Sequence, residues 1–327
     1  MVDDKLDQKI DKKQLITGTT KLLGIIGNPV EHSLSPVMQN AAISELGLDY
    51  VYLPFPVEPE NLEKSIMGLA TIGVVGFNAT IPHKQALLPL LGKIEPLALS
   101  VGAINTVIWR NNQWVGTNTD VEGFISPLQK YDFNLRDNAD EGLPTVGANA
   151  SSSLPYPGNP WGDRTAVILG NGGAARAVVA GCHQLGIRKI HVVGRNLQKL
   201  EEFRQSWLDS PLNINVKVSS WDNLAKFIPQ TNLLVNTTPL GMYPKVNDSP
   251  LSEEEISLIP KDLIAYDLIY TPKPTLFLKQ AQQKGAIIID GLEMLIQQGA
   301  AALKMWLQRE TVPVDVMKSA LRKRLKI

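Results

Sequence analysis

Four short polar motifs fall between His32 and Asp120 of this 327-residue chain. They are His32-Ser33-Leu34-Ser35-Pro36, Asn78-Ala79-Thr80-Ile81-Pro82-His83-Lys84, Ala103-Ile104-Asn105-Thr106 and Asn118-Thr119-Asp120. Together they supply hydroxyls, amides, one ammonium and one carboxylate. A Lys–Asp pair suits carbonyl reduction. Hydride reaches the carbon, the oxygen must gain a proton, and Lys84 can stabilise the developing alkoxide and donate that proton. Asp120 can hold Lys84 in place and accept a substrate hydroxyl. Ser33 and Ser35 lie in a loop between a strand and a helix. Their hydroxyls and the nearby amides suit a carboxylate without a formal positive charge. Asn78, Thr80 and Asn105 lie at or near strand ends, where sites of α/β proteins collect. Taken singly these residues have ordinary readings. A lone Lys is usually solvated surface, and Ser35 and Asp120 each suit a helix N-cap.

A second constellation follows the apolar run Ala166-Val167-Ile168-Leu169, namely Gly170-Asn171-Gly172-Gly173-Ala174-Ala175. Gly170-x-Gly172-x-x-Ala175 has the spacing of a dinucleotide fingerprint. The first glycine makes the tight turn, the second lets backbone N–H groups approach a pyrophosphate, and the third small residue lets helix and strand pack closely. The helix start then offers its free amides to the phosphates. A second strand, Lys189-Ile190-His191-Val192-Val193, ends on Gly194-Arg195-Asn196, with Lys199 beyond and no acid. An NAD site usually carries an acid there, whereas Arg suits a 2′-phosphate. NADP is therefore expected over NAD.

The elements that must position these groups are legible from pattern. Apolar runs predict strands at Leu22–Ile26, Val51–Phe55 and Val74–Asn78, with helices from Val37 to Leu46 and from Glu60 to Leu69 between them. Ser35 reads as N-cap with Pro36 at the first helical position. Ile104–Arg110 and Gln113–Thr117 flank Asn111-Asn112 as a tight hairpin. The second half reads as strand Thr165–Leu169, helix Ala174–Leu185 and strand Lys189–Val193. Strands at Asn232–Val235, Leu263–Asp267 and Ala286–Asp290 follow, then helices Leu292–Arg309 and Val314–Leu325. Residues 1–20 read as a mobile tail, and the Asn-, Gly-, Pro- and Ser-rich stretch 134–164 as an exposed loop.

Composition narrows the classes. Formal net charge is +0, from 32 basic and 32 acidic residues, which argues against nucleic-acid and membrane-surface partners. The single cysteine, Cys182, makes no intrachain disulfide or Cys-x-x-Cys zinc site and fits a reducing, cytoplasmic setting. The histidines at 32, 83, 183 and 191 lack metal-ligand spacing, so no metal is expected. No tyrosine has Lys four residues on, which excludes the short-chain dehydrogenase solution.

The motifs, in this order, resemble the shikimate dehydrogenase family over about residues 22–325. Val235-Asn236-Thr237-Thr238-Pro239-Leu240-Gly241-Met242, Tyr266-Asp267-Leu268-Ile269-Tyr270 and Asp290-Gly291-Leu292-Glu293-Met294-Leu295 carry it through the second half. The resemblance implies an α/β chain of two domains. Residues 21–123, completed by helices in 292–327, would bind substrate, and 124–291 would form a Rossmann-type NADP domain. It implies NADP-dependent, reversible reduction of 3-dehydroshikimate to shikimate in aromatic amino-acid biosynthesis. Lys84 and Asp120 match the catalytic pair, and Ser33, Ser35, Thr80, Asn105, Asp120, Tyr270 and Gln298 match shikimate-binding positions, with Asn78 beside them. Gln298 rather than Gln297 aligns. Gly170, Asn171, Gly172, Gly173, Ala174, Arg195, Lys199, Leu268 and Gly291 match NADP-binding positions, with Asn196 next to Arg195. Asn171 stands where alanine is common, and Lys199 where a second Arg is frequent. Lys forms no planar fork, so a weaker NADP preference is one expectation. A quinate or dual quinate/shikimate enzyme is the near alternative, and a catalytically silent NADP-binding module the distant one. The sequence leaves monomer and homodimer both open.

Overall fold

The computed structural model describes residues 16–129 and 161–327. Most of the expected tail (1–15) and loop (134–160) lies outside the described residues. Their inner ends differ from expectation. Residues 17–20 form a turn whose Thr19 and Thr20 hydroxyls donate to Asp49. Residues 161–164 form another, and Trp161 is only 4% exposed, packed into a core with Phe124, Leu128 and Val178. The large apolar area of an indole outweighs the loop-like composition around it.

The first sheet holds β1 (Lys21–Gly27), β2 (Tyr50–Pro56), β3 (Val74–Ala79), β4 (Lys93–Ile94), β5 (Thr106–Arg110) and β6 (Gln113–Thr117), ordered β2-β1-β3-β5-β6-β4. Helices α1 (Ser35–Glu45), α2 (Leu62–Thr71), α3 (His83–Ala86) and α4 (Pro96–Val101) connect its strands. β2, β1 and β3 run parallel, whereas β5 is antiparallel to β3 and β6. The β5–β6 turn is made by Asn111 and Asn112 at φ of 50° and 60°, the left-handed pair a two-residue hairpin needs. α1 begins one residue earlier than expected. Leu34 is the flanking residue, no side chain caps the helix, and Ser35 is its first residue. The Ser35 hydroxyl is turned inward, beside that of Tyr52, and so is not available as a cap.

α5 (Asp120–Gln129) leads out of the first sheet. The second sheet holds β7 (Thr165–Leu169), β8 (Lys189–Gly194), β9 (Lys217–Ser220), β10 (Leu233–Asn236), β11 (Ile264–Asp267) and β12 (Ile287–Ile289). Its helices are α6 (Gly173–Gln184), α7 (Leu197–Leu208), α8 (Leu224–Phe227), α9 (Glu253–Ser257) and α10 (Leu276–Gln283). All pairings are parallel and the order is β12-β11-β10-β7-β8-β9. Strand order therefore reverses between β7 and β10, opening a crevice at their carboxyl ends, where the doubly wound Rossmann fold binds its ligands. β4, β9 and helices α3, α4, α7, α8, α9 and α10 go beyond the elements expected from the sequence; β9 is a short edge strand, half exposed, without an apolar run.

α11 (Gly291–Leu307) and α12 (Val314–Leu325) return to the first sheet. Leu292, Ile296, Leu303, Trp306, Met317 and Leu321 share one core with Leu23, Ile25, Met38 and Tyr52. The Trp306 indole N–H donates to the Val107 carbonyl at 2.9 Å. α5 lies at the seam, with Phe124 stacked 5.2 Å from Tyr266 of β11. The first residue of α5 is Asp120, so the seam carries one of the candidate groups. No helix among the described residues is long and apolar enough to cross a membrane.

Candidate active site

α3 starts four residues past the end of β3 and aims Lys84 toward the start of α5. Lys84 Nζ lies 2.6 Å from Asp120 Oδ2, with the side chains 19% and 8% exposed. The Ile104 N–H donates to the Lys84 carbonyl at 2.7 Å, fixing the lysine's backbone to the segment before β5. Asp120 does not cap α5. Asn118 does that work, its Oδ1 accepting the Asp120 N–H at 3.0 Å while its amide donates to Ala103. The Asp120 carboxylate is thereby left for pairing: Oδ2 takes Lys84 and Oδ1 accepts from Asn105 Nδ2 at 2.8 Å.

Behind the pair lies a buried polar network. Asn105, 2% exposed, donates to Thr119 Oγ1 at 3.0 Å and reaches Gln298 Oε1 at 3.4 Å, while its own Oδ1 accepts the Thr119 N–H at 2.7 Å. Asn78 Nδ2 donates to the Asn105 carbonyl and to Thr106 Oγ1, both at 3.0 Å, and its Oδ1 accepts the Tyr52 hydroxyl at 2.7 Å. Both amide hydrogens of Asn78 thus go to protein acceptors. Such a network rigidifies a site when every member is satisfied. Tyr52, Thr106 and Thr119 were not singled out from sequence. The available signal was Tyr52 itself, since a tyrosine inside an apolar strand needs a partner for its hydroxyl.

The remaining polar candidates stand on several elements. Ser33 Oγ accepts the Ser35 N–H at 3.3 Å in the β1–α1 loop. The Thr80 N–H donates to the Ile26 carbonyl at 3.0 Å, which sets that residue beside the loop's origin. Tyr270, on the segment after β11, crosses to this loop. Burial pushes its hydroxyl up, and the Leu34 backbone N–H bonded to it pulls the other way. Gln298 faces Asn105, whereas Gln297 turns away and donates to Glu293. The rings of His32 and Tyr243 meet edge-on at 6.2 Å, bringing the β1–α1 loop against the loop after β10.

The glycine turn approaches the lysine from the second sheet. Gly170 has φ of +103°, a conformation side chains resist, and its N–H donates to the Val193 carbonyl at 2.8 Å. Gly172 precedes α6, and a Cβ there would meet nothing within 4 Å, so open space faces the helix start. A Cβ on Gly173 would lie 3.8 Å from Lys84 Cβ and Cδ, so the turn runs along the lysine stem. Asn171 and Ala174 are half-buried beside these glycines. Arg195, Asn196 and Lys199 are exposed beyond β8, and Asn196 Oδ1 caps α7 by accepting the Lys199 N–H at 2.9 Å. Leu268 contributes backbone, its N–H donating to Asn236 and its carbonyl lying where a Cβ on Gly291 would come within 2.0 Å. Asp267 anchors these loops by accepting from Asn236 Nδ2, the Ile269 N–H and the Thr275 hydroxyl. Burial pushes its carboxyl up to about 6, against the opposing pull of those three donors. An open cradle of amides at the start of α6, with two exposed cations past the neighbouring strand, fits a phosphorylated dinucleotide. Among the described residues no His, Cys, Asp or Glu cluster suits a metal ion.

Known proteins are similar to this chain in sequence and in fold. The family descriptions "Shikimate dehydrogenase substrate binding domain" and "Shikimate 5'-dehydrogenase C-terminal domain" match residues 25–107 and 291–322. The shikimate 5-dehydrogenase of Listeria monocytogenes, solved with shikimate and NAD, has a TM-score of 0.76 at 29% identity, covering 94% of this chain and 98% of that one. The enzyme of Thermus thermophilus, solved with NADP(H) and shikimate, has a TM-score of 0.72 at 29% identity, covering 93% of this chain and 99% of that one. A protein of Trichormus variabilis named shikimate dehydrogenase (NADP(+)) is 63% identical over 311 residues, 95% of this chain and 99% of its own length. Identity of that degree, sustained from end to end and laid over the same two-sheet framework, means that the chain belongs to the shikimate dehydrogenase family.

Proposed function

We propose that the chain is an NADP-dependent shikimate dehydrogenase, interconverting 3-dehydroshikimate and shikimate on the path to chorismate and the aromatic amino acids. One observation carries this reading: a lysine–carboxylate pair at 2.6 Å whose lysine stem runs along the glycine turn of a doubly wound sheet. The start of α6, from Gly170 to Ala174, would hold the pyrophosphate, Arg195 and Lys199 the 2′-phosphate, and Leu268 and Gly291 the backbone wall opposite. When bound, NADP(H) supplies or accepts the hydride. Lys84 gives the proton to the carbonyl oxygen and steadies its developing charge, while Asp120 orients Lys84 and accepts a substrate hydroxyl. Asn105, Tyr270 and Gln298 contact ring hydroxyls, Ser33 and Ser35 the carboxylate, and Thr80 the neighbouring edge. Asn78 acts from behind, holding Asn105 by its carbonyl.

The two sheets suggest the functional division. Residues 21–123 with 292–327 form the substrate unit and 124–291 the NADP unit. We place the enzyme in the cytoplasm, as a monomer or homodimer. The test is initial rates with shikimate and with quinate, each with NADP and with NAD. Shikimate with NADP is expected to dominate in kcat/KM. A preference for quinate would reassign the substrate, and no turnover with any pair would leave only a nucleotide-binding module.

A further inference from the structure

Arg176 is a guanidinium placed in the interior, 7% exposed, and it pairs with no carboxylate among the described residues. It stands on the first turn of α6, three residues past Gly173. Its Nε donates to the carbonyl of Val101, the last residue of α4, and its Nη1 donates to Ser206 Oγ of α7 at 2.9 Å. The guanidinium carbon lies 5.2 Å from the ring centroids of both Phe203 and Trp207. Two aromatic faces and a helix-terminal carbonyl thus stabilise a buried cation that no acid among the described residues neutralises. Gly102, which ends α4 with φ of +65°, leaves the room: a Cβ there would fall 2.7 Å from Arg176 Nη2. Burial lowers the guanidinium pKa to about 10, so the side chain stays charged at neutral pH.

The segment that Arg176 grips is the one that holds the candidate catalytic pair. Immediately after Gly102, the Ala103 carbonyl accepts from Asn118 Nδ2, the Ile104 N–H binds the Lys84 carbonyl, and Asn105 binds Asp120. The other end of the same helical turn is Gly173, against the Lys84 stem. One side chain therefore joins the helix expected to carry the cofactor to the segment that fixes Lys84 and Asp120. We propose that Arg176 is a positioning residue that locks the glycine turn in register with residues 101–105, and so sets the distance over which hydride is transferred. This rests on the dehydrogenase reading given above. The grip needs a planar fork that can bond in two directions and stack on two rings. A lysine ammonium has three donors but no plane, so it cannot span both acceptors while lying flat against the two rings. Misplacement of reacting groups by about 1 Å is enough to cost on the order of 10²-fold in rate.

The test compares the full-length wild type with Arg176→Lys and Ser206→Ala, assayed as folded protein. Arg176→Lys is expected to lower kcat at least tenfold, to raise the primary deuterium isotope effect with NADPH labelled at the transferred position, and to leave the NADP Kd within about threefold. Ser206→Ala is expected to move kcat and the isotope effect in the same direction by a smaller factor. If Arg176→Lys does not fold, Ser206→Ala carries the kinetic test alone. A folded variant with kcat and isotope effect within twofold of wild type, whatever its Tm, would overturn the proposal. Amide hydrogen exchange at residues 101–105 reads the tie independently of turnover. Faster exchange in the variants is expected, and unchanged exchange would also overturn it. Failure of the wild type to oxidise shikimate would instead refute the dehydrogenase reading, with exchange still deciding whether Arg176 anchors the segment.

Discussion

Replacing Lys84 with alanine separates chemistry from scaffolding. The substitution removes the ammonium 2.6 Å from Asp120 but keeps the backbone carbonyl that accepts the Ile104 N–H. Loss of a positioned proton donor lowers rates by about 10²–10⁴-fold, a barrier increase of about 2.7–5.4 kcal/mol. The stability effect is smaller. An exposed pair contributes about 0–1 kcal/mol, and breaking a fully buried one costs about 3–5 kcal/mol. With side chains 19% and 8% exposed, and with Asn105 still donating to Asp120, the case falls between, at about 1–3 kcal/mol. Cβ and Cδ of the lysine stem flank the glycine turn, 3.8 Å from where a Cβ on Gly173 would lie, and Cβ survives, so NADP affinity should change less than about threefold. Turnover followed by NADPH absorbance in both directions, NADP binding by titration calorimetry, and urea unfolding measure the three quantities separately. A variant retaining more than a tenth of wild-type kcat would refute the role of Lys84. A large loss of NADP affinity with kcat preserved at saturation would make it a nucleotide ligand instead.

Three further outcomes follow from the same geometry. Gly172→Ala should fold with an unchanged Tm, because its Cβ meets nothing within 4 Å and its φ of −85° is ordinary, yet weaken NADP binding tenfold or more; equal affinity would argue that no phosphate approaches this amide. Arg195→Ala should raise the KM for NADP by about 10–10²-fold with little effect on NAD, since an exposed guanidinium acts through the 2′-phosphate alone, and equal effects on both nucleotides would dismiss that assignment. Asp267 should leave a signature in the pH dependence of stability. Its folded pKa of about 6 stands above the ordinary 3.8, so its contribution is full below about pH 4 and is lost as pH rises through about 6, a change of about 3 kcal/mol. Asp267→Asn cannot titrate, so the stability difference between wild type and variant should slope across this window in urea unfolding; a flat difference would refute the burial argument.

Much of the local architecture was legible because it is set by near neighbours. The run Thr165–Leu169, the glycines after it and the helix closed by Gly186 form a strand, a turn and a helix within one residue of the expected limits. Asn111-Asn112 makes its hairpin because those two residues tolerate left-handed backbone. Two misread side chains share one cause, a partner that lies far off in the chain. Ser35 has the residue type of a cap, but its hydroxyl faces Tyr52 of the neighbouring strand. Trp161 sits amid loop-like composition but is buried by a core that spans α5 and α6.

The sequence by itself determined which groups exist and what each could do: one ammonium and one carboxylate near strand ends, a fingerprint turn, and a cation where NAD sites place an acid. Only the tertiary structure decided that they converge. Lys84 and Asp120 are 36 residues apart, and Asn105 and Gln298 are 193 apart, yet each pair makes one contact. Arg176 and Val101, 75 apart, join helices that flank different sheets. No periodicity encodes such distances. They arise when two sheets, one seam helix and two returning C-terminal helices bury their apolar faces together, and that collective packing fixes where the few polar side chains must meet.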